Sequence, residues 1–125
     1  MKNRIVLLLV VVILNSCNKS DIKDNVIGKY VNKYEPDANH YVELKADSTF
    51  LHYYKKNNET AKENEGNWEL VTTPKKTEIV FRTWKTFGFG DSTDCNGCIR
   101  FVKLIKGEMI FDYDLPHEMN FKKEE

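Results

Sequence analysis

His40-Tyr41-Val42-Glu43-Leu44-Lys45-Ala46-Asp47-Ser48-Thr49-Phe50-Leu51-His52-Tyr53-Tyr54-Lys55 is the stretch on which the fold turns. Val42 and Leu44 alternate with Tyr41, Glu43 and Lys45, so one side of His40–Ala46 is apolar. Asp47-Ser48 is a turn signal. Beyond it, in Thr49–Lys55, Phe50, His52 and Tyr54 share a face opposite Leu51 and Tyr53. A period of two on both sides of a turn predicts a pair of antiparallel strands.

The same cadence recurs outward. Val26–Asn32 carries Ile27, Gly28, Tyr30 and Val31, and Gly66–Thr72 carries Trp68 and Leu70 on one face. Pro74-Lys75-Lys76 turns the chain into Glu78–Trp84, and a long Gly-containing loop leads to Ile99–Ile105. Lys106-Gly107-Glu108 turns it again into Met109–Tyr113, and a last short strand falls near Met119–Lys122. The charged stretch Lys56–Glu65 reads as a solvated loop, and no window sustains helical spacing of apolar residues. About eight strands in one domain over residues 26–125 predict an all-β antiparallel meander closed into a small barrel, with a β-sandwich as the alternative. Closure is favoured because it removes the edges that an open meander exposes.

Gly28-Lys29-Tyr30, Leu44-Lys45-Ala46-Asp47-Ser48-Thr49-Phe50 and Gly66-Asn67-Trp68 together resemble the cadence of small bacterial lipoproteins with a lipocalin-like, calycin-type barrel. The resemblance implies the barrel. It names no ligand, because this architecture serves many functions.

The N-terminus carries a second resemblance. Lys2 and Arg4 precede an unbroken apolar run, Ile5 to Leu14. As a helix it would rise only about 15 Å, half a bilayer core, which marks a signal-peptide segment and not a membrane span. The run ends in Leu14-Asn15-Ser16-Cys17, which resembles the bacterial lipoprotein signal. That implies removal of residues 1–16, acylation (palmitate among the chains) of Cys17, and a polar tether over residues 17–25. The expected place is the bacterial cell envelope, lipid-anchored to the outer membrane in preference to the inner. Beyond residue 16 the chain holds 17 Lys+Arg against 19 Asp+Glu. That near-neutral balance without a basic block argues against nucleic acid as a partner.

Little chemistry is visible. With Cys17 acylated, Cys95 and Cys98 are an even pair in a compartment that permits disulfides. Cys95-Asn96-Gly97-Cys98 therefore reads as a disulfide at the tip of the loop; a redox dithiol would want a helix after it, and a metal site two more ligands. Ser92–Ile99 echoes a calcium loop, but Ser92 replaces the leading Asp and Lys103 the bidentate Glu. No G-x-S-x-G, H-E-x-x-H or phosphate loop occurs. The expectation is a protein without catalytic residues, cofactor or metal, although paired carboxylates of a hydrolase could hide among the surface acids.

Glu78–Trp84 points elsewhere. Ile79 and Phe81 alternate with Val80, Arg82 and Trp84, so both faces are apolar, and Ile99–Ile105 behaves alike. Two-sided strands meet a second surface or a partner. Arg82 and Arg100 are the two arginines beyond residue 16. Arg82, Trp84, Phe87 and Phe89 are accordingly the expected recognition surface, with Tyr54 as a further binding residue; the competing reading folds Phe87 and Phe89 back over Trp84 as a second small core. Tyr30, Phe50, Tyr54, Trp68 and Trp84 would line a cavity if the barrel were hollow. The leading expectation is a membrane-anchored binding module for a small apolar or amphipathic ligand. The alternative is a protein-binding lipoprotein, such as an immunity or inhibitor protein or an accessory subunit.

Overall fold

The computed structural model describes residues 18–88 and 97–125. A short helix, α1 (Asn18–Val26), precedes eight strands: β1 (Gly28–Val31), β2 (Ala38–Leu44), β3 (Thr49–Lys56), β4 (Lys62–Thr72), β5 (Thr77–Trp84), β6 (Cys98–Ile105), β7 (Glu108–Ile110) and β8 (Phe121–Lys123). Each strand pairs with the next, and β8 returns antiparallel to β1 at Tyr30↔Lys123, so the meander closes. It is a barrel and not a sandwich.

The founding hairpin pairs Leu44 with Phe50, Val42 with His52 and His40 with Tyr54. All six are buried and face inward. Asp47 organises its turn by accepting from the Thr49 amide at 3.0 Å and the Thr49 hydroxyl at 2.6 Å. Two expected boundaries shift. β4 begins at Lys62, inside the stretch expected as a solvated loop, because Tyr54 pairs with Lys62, and Glu63 and Glu65 alternate outward while Asn64 turns in. β7 stops at Ile110 and a single 3-10 turn over His117–Met119 precedes β8.

The expected polar tether is helical along most of its length, and its end belongs to the domain. Val26, 4% exposed, plugs the barrel, and its carbonyl accepts the Tyr30 hydroxyl at 2.7 Å. Lys23 Nζ donates to Ser48 Oγ at 2.7 Å and lies 5.3 Å over the Trp68 ring. The Lys123 ammonium donates to the Asn25 carbonyl. These contacts hold a helix that has no apolar stripe of its own. Among the described residues no helix is long and apolar enough to cross a membrane.

Helix α1 and the turns 45–48, 73–76 and 106–107 occupy one end of the barrel; the connections 32–37, 57–61 and 111–120 and the described residues 85–88 and 97 occupy the other. Next to α1 the interior is filled. Trp68, Tyr30, Phe50, Phe81, Leu44, Ile79 and Met109 are each under 2% exposed, and Trp68 Nε1 donates to the Lys45 carbonyl at 3.1 Å. Residues expected to line a cavity pack on other core rings instead: Phe50 lies 4.9 Å from Phe81 and 5.8 Å from Trp84.

One irregularity decides where Trp84 points. β5 and β6 pair in register to Phe81↔Arg100, then shift so that Trp84 meets Cys98. The extra residue is taken up at Arg82-Thr83, with Thr83 at φ 60°. A bulge moves the following side chain to the other face. Trp84 therefore joins Ile79 and Phe81 inside, whereas strict alternation had put it on the face opposite theirs, with Val80 and Arg82.

Candidate functional site

His40 and His52 sit at the end of the barrel away from α1, on the inward faces of β2 and β3, 6% and 1% exposed. Their Nε2 atoms are 2.9 Å apart, and His52 Nδ1 lies 2.9 Å from the Lys85 carbonyl. A carbonyl only accepts, so His52 carries its proton on Nδ1 and, when neutral, accepts at Nε2 from the Nε2–H of His40. Burial pushes His40 down to about 4 against the opposing pull of the Glu35 carboxylate. Burial, reinforced by His40, pushes His52 down to about 3, with the Lys85 carbonyl opposing. Both rings are neutral at pH 7.

Five rings close a circle across the barrel at this level. His52 stacks on Trp84 at 4.3 Å, Trp84 meets Phe111 at 5.2 Å, and Phe111 meets Phe121 at 5.3 Å. Phe121 stands edge-on to His40 at 4.8 Å, and His40 returns to His52 at 5.2 Å. This layer floors the loop-bearing end. Phe87 packs on His52 at 4.7 Å and is partly exposed. Around the rim, Glu35 accepts from the Tyr54 hydroxyl at 3.1 Å and pairs with Lys56 at 2.8 Å. Burial and the Glu35 hydrogen bond hold the Tyr54 phenol above its usual range. Asn64 donates to the Thr83 carbonyl and accepts from the Lys85 amide, both at 2.9 Å, clamping the bulge and the start of the following loop. Arg100, opposite the buried Phe81, turns inward and lies 5.8 Å over the Phe111 ring.

The expected recognition residues are divided by this geometry. Tyr54 and Trp84 are buried at 5% and 4%, and with Phe87 they gather around His52 and His40. Arg82 is on the outer face, where Nε meets Glu69 Oε1 at 2.9 Å, away from the Trp84 ring. Phe87 covers His52, which itself covers Trp84, so the fold-back of Phe87 expected under the competing reading takes place through a histidine. Phe89, Cys95 and Cys17 lie outside the described residues; Cys98 opens β6 opposite Trp84. Among the described residues no group of three or more His, Cys, Asp or Glu is placed to hold a metal ion.

Sequence reasoning assigned no role to His40 and His52 and missed Glu35, Asn64 and Phe111. The histidine pair had a signal: both occupy the apolar face of one hairpin, His40 in step with Val42 and Leu44, His52 with Phe50 and Tyr54. The outer face of β6 is apolar as expected, with Ile99 51% and Phe101 63% exposed. Comparison of the chain with protein-family models, with curated proteins and with solved structures finds no match in any of the three.

Proposed function

We propose that the chain is an envelope lipoprotein, acylated on Cys17, whose lipocalin-like barrel is a non-catalytic binding module for a small apolar or amphipathic molecule held at the loop-bearing end. The observation that carries this reading is the asymmetry of the barrel. One end is plugged by Val26 and filled by large side chains, while the other ends in a layer of rings rimmed by polar groups. An apolar floor with a few placed polar groups is the usual composition of a small-molecule site. Because the interior beneath is filled, the ligand rests on the floor and does not penetrate to Trp68. Cys95 and Cys98 form a disulfide in this reading, tying the loop to the start of β6.

The neutral dye N-phenyl-1-naphthylamine tests it. The dye should brighten on binding, and Phe87→Ala should weaken it several-fold without unfolding the barrel. No brightening, or binding that ignores Phe87, refutes the site. The second reading, a protein-binding lipoprotein, is favoured by the exposed Ile99 and Phe101 on β6. It requires that Phe101→Ser abolish capture of an envelope partner while dye binding persists.

A further inference from the structure

We infer that Arg100 receives a negatively charged headgroup, so that the ligand of the loop-bearing end is an amphipathic anion: a carboxylate, sulfonate or sulfate on an apolar body. The inference rests on the reading of that end as the binding site and adds the chemical class of its ligand.

Register places the side chain. Arg100 pairs with Phe81, which is 0% exposed inside the barrel, and Val102, two residues on, is likewise buried. Residues two apart share a face, so Arg100 points in, whereas Arg82 points out. An inward guanidinium is costly unless a carboxylate or solvent compensates it. Arg82 has Glu69. Arg100 has the Phe111 ring, and no described carboxylate pairs with it. Glu35, a described acid at the same end, is held by Lys56 and by the Tyr54 hydroxyl. Glu108 is held by His117 at 2.7 Å. The two histidines of the floor are neutral at pH 7.

Arg100 is thus a partly buried cation on the inward face of β6, beside the Phe111 ring and, among the described residues, without a carboxylate partner. Its planar fork suits a carboxylate or sulfonate bidentately. Phe111, which carries the guanidinium on one side, also touches Trp84 and Phe121, so an apolar body attached to the anion would lie along the ring layer.

Two dyes with the same body isolate the charge. 8-Anilinonaphthalene-1-sulfonate is N-phenyl-1-naphthylamine with a sulfonate added. Both are titrated into the chain carrying Cys17→Ser, which keeps every barrel residue and lacks acyl chains that would absorb the dyes. The sulfonate dye should bind at least about tenfold more tightly than the neutral one, a difference of roughly 1.4 kcal/mol. Arg100→Gln should erase that preference while leaving the neutral dye within about twofold, Arg100→Lys should keep part of it, and Arg82→Gln should keep it all. Equal affinity for the two dyes, or a preference that survives Arg100→Gln, overturns the inference and leaves the binding site standing. Failure of both dyes overturns the site itself. Loss of the sulfonate signal in Phe101→Ser would place the dye on the outer face of β6, and also overturns the inference. Thermal melts confirm folding, and Arg100→Lys carries the test should Arg100→Gln not fold.

Discussion

A proton added to His52 would have to sit at 1% exposure between the His40 ring, Trp84 and Phe87. The folded chain resists it, holding His40 at about 4 and His52 at about 3, against 6.5 for an unburied histidine. The unfolded chain accepts protons from about pH 6.5 downward. The stabilisation from neutral histidines is therefore fully present above pH 6.5 and lost as pH falls toward 4. The expected slope is about 1.4 kcal/mol per pH unit for each histidine over that window. Urea unfolding at pH 7, 6 and 5 should follow it, and His52→Gln should flatten the profile; a flat profile for the parent protein contradicts the buried neutral pair. At the same scale, Trp84→Ala should cost roughly 3–5 kcal/mol, because it opens a cavity beside Phe50, Phe81 and Phe111. Phe87→Ala should cost far less, and Arg82→Gln under about 1 kcal/mol, since its pair with Glu69 is solvated. Melts of the three variants rank them.

Among the elements, the strands whose outer residues are polar were the easiest to read. Val42, Leu44, Phe50 and Tyr54 alternate plainly, so β2 and β3 were legible as a hairpin. β4 hid its first residues because Glu63 and Glu65 are outward and solvated, and the positions in phase with the core are Lys62, exposed at the strand's start, Asn64 and Gly66, none of them an apolar signal. α1 hid because its helix is secured by distant partners, Ser48 and Lys123, and not by its own pattern. Trp84 was placed on the face opposite Phe81 because a bulge is a two-strand event, invisible in β5 alone. The ring layer was illegible for the same reason. It draws on β2, β3, β5 and β8 and on Phe111 just beyond β7, which meet only when the barrel closes. Arg100, by contrast, was legible in its phase with Val102 and Leu104. The bulge also explains Gly66. A Cβ there would come within 3 Å of Thr83 Oγ1, the Arg82 carbonyl and Phe50 Cε1. Gly66→Ala should destabilise by about 1–3 kcal/mol, because the backbone carbonyl cannot move aside without undoing the bulge. A neutral outcome in urea denaturation would mean that the bulge is free to relax.

For the whole molecule, the decisive relation is between the proposed anchor and the loop-bearing end. Cys17 immediately precedes α1, and α1 lies across the end opposite the ring layer. If Cys17 is acylated as proposed, the plugged end is held against the bilayer and the candidate site is turned toward the surrounding compartment. Loss of the anchor in Cys17→Ser should move the protein from the membrane pellet to the soluble envelope fraction, and unchanged pelleting would end the lipoprotein reading. Orientation is a separate test. The eight residues of β5 rise about 26 Å, or roughly 20 Å along the axis of a barrel with strands tilted near 40°. A probe on Lys75→Cys, in the turn beside α1, and one on Asn57→Cys, in the connection after β3, should thus differ in depth by about that height. With the lipoprotein in vesicles that contain a lipid-borne short-range quencher, the Lys75→Cys probe should be quenched and the Asn57→Cys probe left bright. The parent protein supplies the control, since the proposed Cys95–Cys98 disulfide would take up no thiol-reactive probe until it is reduced. Quenching at Asn57→Cys with a bright Lys75→Cys would face the ring layer to the membrane. The ligand would then have to arrive from the lipid phase, and the proposed access from the aqueous side would be wrong.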